Sequence, residues 1–280
     1  MKKHIINLLI TLALLTGVAL MMYPFLADWY NQLHREQVIR NYSEHVAGLS
    51  RAELAQERSR ARGYNEGLLD SVEPGDPFRE NINQTTSGLY RSILNIGGEG
   101  MMGYIRIPRI AVKLPIYHGT GEDAMRKGVG HLEQSSFPIG GEATHTVLAA
   151  HSGSPAAELF TNLNQLEEGD LFYLEGLGET LAYRVDQIKV VEPADIESLK
   201  IVSSKDYATL ITCTPYGINS HRLLVRGERT EYIEEREQDF AGQNVVRSKR
   251  YIIMIVCLCL VAAGIIGFMI VRKKVRVKFL

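Results

Sequence analysis

Cysteine is scarce in this chain: 280 residues hold three, and two of them, Cys257 and Cys259, fall inside one uncharged apolar run. Only Cys213 is left for the remainder, so a disulfide framework is excluded and that thiol stands as a free, reactive candidate. The spacings H-E-x-x-H and paired Cys-x-x-Cys are absent, which removes the common zinc sites. Internal repeats are absent too. Nor is there a surplus of positive charge, the formal net charge being −1. With the seven basic residues at the two ends set aside, 24 of the 31 Lys and Arg face 32 acids. That balance excludes a nucleic-acid binder by charge.

What the chain does have is two membrane-length runs without a charge, from Ile5 to Ala27 and from Tyr251 to Val271. Each reaches the roughly 20 apolar residues that cross a bilayer as a helix. The first exceeds a secretory h-region of about 7–15 residues and has no A-x-A-like exit, so it reads as an uncleaved signal-anchor, with a cleaved signal peptide as the alternative. Lys2 and Lys3 at one end and Arg272, Lys273, Lys274, Arg276 and Lys278 at the other place both termini in the cytoplasm. RSKR at 247–250, on the opposite flank, pulls against that orientation.

The expected order is a cytoplasmic start at 1–4, a signal-anchor at 5–27 and a helical segment at 28–70. A linker follows at 71–100, a β domain at 101–230, a polar stalk at 231–250, a second span at 251–271 and a basic cytoplasmic tail at 272–280. SRAE at 50–53 is a capping signal within the helical segment. From Met102 the pattern changes to short strands: GYIRIPRIAVKLPIYHG, THTVLAAHS, DLFYLEG, TLAYRVDQIKVVEP, DYATLITCTP and HRLLVRGER. One helix-like insert, SPAAELFTNLNQL, carries Leu159, Phe160, Leu163 and Leu166 on one face. Many short strands with few helices point to a mainly β barrel or sandwich.

Alternation in YATLITCTP puts Thr209, Ile211 and Cys213 on one strand face. The loop TPYGINSH then turns the chain, and Arg222 opens the next strand. In a simple antiparallel register Cys213 and Arg222 lie opposite, with Cβ atoms roughly 5 Å apart. A guanidinium there favours the thiolate and offers donors to an oxyanion. Taken singly, Cys213 also reads as a packed core thiol and Arg222 as a solvated strand-end charge; the pairing is what weighs against both. Acyl transfer needs a proton carrier as well, and histidine suits neutral pH. His34 and His45 belong to the helical segment. Of the others, His118, His131, His145, His151 and His221, strand parity gives His145 and His151 the same face. His151 is preferred, because it ends its strand just before the turn at Ser152-Gly153.

TLITCTP, SHRLLVRGER and VLAAHSG resemble the signature stretches of sortases, cysteine transpeptidases of Gram-positive bacterial membranes. MGYIRIPRI, LPIYHG, GVGHLEQSSFPIGG and LFTNLNQLEEGD follow the family's order across residues 102–229. Two spans and the Asp76-Pro77-Phe78 segment resemble the class C, pilin-polymerising branch. The resemblance implies an eight-stranded β-barrel in which Cys213 is the nucleophile, His151 the general acid/base and Arg222 the oxyanion stabiliser. It implies cleavage of an LPxTG-like sorting signal through a thioester, then transfer to a lysine of another pilin subunit, without metal or organic cofactor. It also implies a lid in which Asp76 pairs with Arg222 and Phe78 shields Cys213. The expected partners are pilin subunits carrying sorting signals and the lipid bilayer, crossed twice, with the barrel outside. Two alternatives remain: a sortase of another class that attaches proteins to peptidoglycan, and a membrane-tethered binding or scaffold module.

Overall fold

A computed structural model describes residues 2–68, 75–78, 87–153, 159–195 and 197–233, with positions 256 and 259. The polar stalk beyond 233, nearly all of the second apolar run and the basic tail lie outside the described residues.

Helix α1 runs without a break from Lys2 to Gly48. It contains the one helix among the described residues that is long and apolar enough to cross a membrane; its most apolar window has a mean hydropathy of 2.1 and none of that window is buried. The expected signal-anchor at 5–27 and the start of the expected helical segment at 28 thus lie on one continuous helix. The break comes at Leu49-Ser50. The Ser50 side chain accepts from the Glu53 amide, while Glu53 accepts from the Ser50 amide at 2.8 Å, and this reciprocal cap starts α2, Arg51–Gly67. The far half of α1 is amphipathic by spacing. Ile39, Tyr42 and Val46 pack with Met101 and Tyr117 of the β domain.

Eight strands close into a barrel in the order β1-β2-β3-β4-β7-β8-β6-β5. They are β1 (Met101–Ile107), β2 (Val112–His118), β3 (Val129–His131), β4 (Thr144–Ala149), β5 (Leu171–Gly176), β6 (Glu179–Val191), β7 (Asp206–Thr214) and β8 (His221–Thr230). Closure leaves no free sheet edge open to pairing with another chain. Two pairings are parallel, β2 with β3 and β4 with β7; the others are antiparallel. Short helices α3 (Gly88–Ser92) and α4 (Glu122–Lys127) sit on the connections. The end of the linker is packed, not loose: Tyr90, Ile93 and Leu94 are buried in the main core.

Alternation along β7 divides two apolar clusters. Ala208 and Leu210 join the barrel interior with Leu148, Phe172, Tyr183 and Val225. Ile211 faces the other way, into a smaller cluster with Val147, Ala149, Leu199 and Leu224. Cys213 continues the Ile211 face, so the thiol lies at the strand end beyond that outer cluster.

The helix-like insert takes a different form. Residues 154–158 lie outside the described set, and the rest is turn with one 3-10 turn at Leu163–Gln165. Leu159, Phe160, Leu163 and Leu166 are all buried, as the pattern requires. The Phe160 amide, however, donates to the His151 carbonyl at 3.2 Å, a tertiary bond taken in place of a helical one.

Candidate active site

Three neighbouring strands bring the site together. In the β7–β8 hairpin Cys213 pairs with Arg222, which is the simple register assumed for the pair in the sequence. The turn closes on itself through the Ile218 and Asn219 amides, both donating to the Pro215 carbonyl at 3.1 and 2.9 Å. On the other flank β4 runs parallel to β7, with Ala149 opposite Ile211. Continued two residues past the ladder, that register sets His151 beside Cys213. Side chains hold it there: Thr212 Oγ1 donates to the Ala150 carbonyl at 2.8 Å, and Ser152 Oγ to the Cys213 carbonyl at 2.7 Å. His151, Cys213 and Arg222 thus form one row across β4, β7 and β8.

Arg222 is oriented at its base by Nη1 donating to the Asn219 and His221 carbonyls, each at 3.2 Å. Its other face is taken by Asp76. Arg222 Nε donates to Oδ1 at 3.0 Å and Nη2 to Oδ2 at 2.8 Å, a bidentate fork with side chains only 12% and 10% exposed. The Asp76 Oδ1 also accepts from the Phe78 amide at 3.2 Å, which folds the Asp76-Pro77-Phe78 turn. The Gly75 amide is tied to Gln134 Oε1 at 3.2 Å. Phe78 then lies 5.0 Å from the Arg222 guanidinium and 6.0 Å, ring to ring, from His151. It packs on the outer apolar cluster, over the two residues that flank the thiol.

This cover has an electrostatic consequence. Burial pushes the Cys213 thiol up, Arg222 pulls it down, and the Asp76 carboxylate pushes it up again; the net direction is upward. Burial alone would lower Arg222, but the hydrogen bonds to Asp76, with the charges of Cys213 and Asp76, more than offset it. Covered in this way, the thiol is held in its less nucleophilic form.

The two histidines that strand parity left together are separated by the structure. His145 is buried; its Nδ1 meets the Lys200 carbonyl at 3.0 Å and its Nε2 meets Thr209 Oγ1 at 2.7 Å. Burial lowers it to about 4, so it is a neutral structural residue. His131 is likewise interior, its ring in contact with those of Tyr90 and Phe137, and lowered to about 3 by burial. His118 bonds the carbonyls of Gly100 and Ile93, and His221 is exposed beside Ser220. Among the described residues no group of three or more His, Cys, Asp or Glu could hold a metal ion.

Sequence reasoning missed one neighbour of the row. Glu122, first residue of α4, brings Oε2 to 3.3 Å from His151 Nε2. In sequence it reads as an ordinary first-turn acid favoured by the helix dipole, and nothing local ties it to a strand end 29 residues later.

The chain is similar to known proteins over its β domain and beyond. The family described as the sortase domain matches residues 105–230. Sortase D of Bacillus subtilis (strain 168) is 33% identical over 131 residues, 45% of this chain and 63% of that protein, so the match spans under two thirds of its length. Sortase A of Streptococcus agalactiae serotype III (strain NEM316) is 22% identical over 227 residues, 79% of this chain and 83% of that protein. Among solved structures, sortase C-1 from Streptococcus pneumoniae aligns at 44% identity and a TM-score of 0.66, covering 70% of this chain and all of that one (100%). Sortase C-1 from Actinomyces oris aligns at 47% identity and a TM-score of 0.60, covering 65% of this chain and 99% of that one.

Proposed function

The chain belongs to the sortase family, and from that premise we propose that it is a membrane-anchored cysteine transpeptidase of the pilin-polymerising class. The observation that carries the reading is the row itself, with Cys213 between His151 and Arg222 at the ends of three adjacent strands.

In the first half-reaction the Asp76-Pro77-Phe78 lid leaves, and Arg222 turns from the Asp76 carboxylate to the substrate. The Cys213 thiolate attacks the threonine carbonyl of an LPxTG-like sorting signal. The carbonyl oxygen takes up the electron pair and is stabilised by the guanidinium, whose planar fork is built for that charge. His151 protonates the glycine nitrogen, the C–N bond breaks, and a thioester remains on Cys213. In the second half a lysine amine of another pilin subunit forms the new amide, giving a proton to the now neutral His151, and the C–S bond breaks with its electrons returned to Cys213. No metal or organic cofactor enters either half.

The anchoring follows from α1, whose apolar half crosses the bilayer while its other half packs on the barrel; the run at 251–271 supplies the second span. Both ends lie inside a Gram-positive cell, and the barrel faces outward, where membrane-held pilin subunits present their sorting signals.

The test is intact-mass detection on the detergent-solubilised full chain, incubated with a library of LPxTG-type peptides, in wild type and in Asp76→Asn/Phe78→Ala. An acyl adduct that is lost in Cys213→Ala and reduced in Arg222→Ala supports the reading. Absence of any adduct, with the lid residues replaced as well, refutes it.

A further inference from the structure

The contact between Glu122 and His151 has an unusual balance. His151 Nε2 is buried and makes no hydrogen bond among the described residues, yet a carboxylate oxygen stands 3.3 Å away. The distance is that of an ion pair, but the geometry is not that of a hydrogen bond. Glu122 itself is 77% exposed, against 32% for the His151 side chain. A residue whose task is to hold an imidazole in place is ordinarily buried and hydrogen-bonded to it. A screened surface contact of this kind does little orienting.

The neighbouring charges narrow the choice further. Asp76 is committed to Arg222, and Asp123 lies 3.4 Å from Arg126. Among the described residues Glu122 has no ion pair other than His151. It is an open carboxylate at the edge of a reaction row, within reach of the group that must exchange protons there.

We propose that Glu122 is the docking carboxylate for the acceptor ammonium, holding an incoming primary amine against His151 so that the thioester goes to the amine and not to water. This rests on the roles given to Cys213 and His151 above. The two half-reactions explain why the arrangement works. After giving its proton to the leaving glycine amine, His151 is neutral and can accept one. The ammonium passes a proton to His151, and the freed amine lone pair attacks the thioester carbonyl. The C–N bond forms, and the C–S bond breaks with its pair left on Cys213 Sγ. Of the two protons the ammonium gives up, one ends on Sγ and the other leaves through His151 to solvent. A water molecule carries no charge for Glu122 to attract, so the carboxylate biases the choice of nucleophile. Its exposure keeps the grip weak, as it must be for the ammonium to release a proton.

The experiment uses the full chain in detergent, loaded with a sorting peptide that forms the acyl-enzyme. Resolution by Nα-acetyl-lysine amide, which is cationic, is compared with resolution by hydroxylamine, which is uncharged at neutral pH. In Glu122→Gln the ratio of lysine to hydroxylamine product should fall about five- to tenfold, mostly through a raised KM for the lysine amine, which corresponds to about 1–1.4 kcal/mol. Added salt should lower the ratio in wild type and leave the variant's nearly flat. Glu122→Asp should recover part of the ratio. A residue that merely positions His151 would slow both nucleophiles alike; an unchanged ratio, whatever the total rate, overturns the proposal. A wild type that forms no acyl-enzyme, even with Asp76 and Phe78 replaced, overturns this proposal and the transpeptidase reading together.

Discussion

Replacing Asp76 by Asn and Phe78 by Ala should expose Cys213 and make it a better nucleophile at the same time. The cover is held by two contacts on one guanidinium. The fork to Asp76, at 3.0 and 2.8 Å with both side chains nearly buried, lies outside the regime of surface ion pairs. Hydrogen bonds to charged groups contribute about 1.5–3 kcal/mol. Phe78, at 5.0 Å from the same guanidinium, adds about 0.5–1 kcal/mol. Together they hold the closed form by about 2–4 kcal/mol, a factor of roughly 30 to 1,000 in the open population. The sign of the thiol shift is also set. Burial and the Asp76 charge both raise it and Arg222 lowers it, so opening removes the two upward causes and keeps the downward one. Alkylation of the full chain by iodoacetamide, followed across neutral to alkaline pH, reads both effects. The double variant should react at least about tenfold faster at neutral pH, with its midpoint displaced to lower pH. The single variants should not add, because they share Arg222. A double variant with the wild-type rate and midpoint would refute the reasoning.

His145→Gln should lower stability by about 1–3 kcal/mol through its bonds to Lys200 and Thr209, read by urea unfolding, whereas His151→Ala should abolish peptide transfer with little change in unfolding. Burial holds His145 at about 4 and His131 at about 3, below the ordinary 6.5; the unfolded chain therefore binds more protons than the native one in that window. Stability is full above about pH 6.5 and falls as pH drops toward 4, with a slope of up to about 1.4 kcal/mol per pH unit for each histidine; a flat urea midpoint across that range would contradict it. Tyr42 Oη donates to the Met102 carbonyl at 2.9 Å and accepts from the Leu177 amide at 3.3 Å. Tyr42→Phe leaves both groups without that partner, and hydrogen exchange should show the far half of α1 loosening from the barrel by about 1–3 kcal/mol.

The hairpin that carries Cys213 and Arg222 was legible because everything that sets it is local. Alternation gives the face, and an unbulged turn of six residues, 215–220, gives the register. The partnership of His151 with Cys213 rests instead on a parallel pairing of strands some 60 residues apart, which no local pattern encodes. For the same reason parity could not choose between His145 and His151. What separates them is Lys200, a residue of another loop, whose carbonyl claims the first. The capping box at Ser50 could be read because Ser50 and Glu53 are three residues apart and cap each other locally. The insert at 159–166 shows the reverse case. Its buried face follows from the pattern, but the backbone that presents it does not, since Phe160 gives its amide to His151.

One guanidinium serves both states of this site, and that sets the terms of its regulation. The Arg222 donors that Asp76 occupies, Nε and Nη2, are the ones free of backbone contacts, Nη1 being held by the Asn219 and His221 carbonyls. An oxyanion therefore has to take the same two donors. On the proposed function, lid and substrate would compete for one fork, and closure would exclude catalysis even where Phe78 leaves room for a peptide. The apparent affinity for a sorting signal is the intrinsic affinity multiplied by the open fraction. With closure at about 2–4 kcal/mol, a short peptide is penalised by most of that factor of roughly 30 to 1,000. With the anchoring proposed above, a subunit held in the same membrane would escape much of the penalty through its raised effective concentration. The proposed lid would then discriminate by tethering: free peptides should profit greatly from its removal, and subunits held in the same bilayer much less.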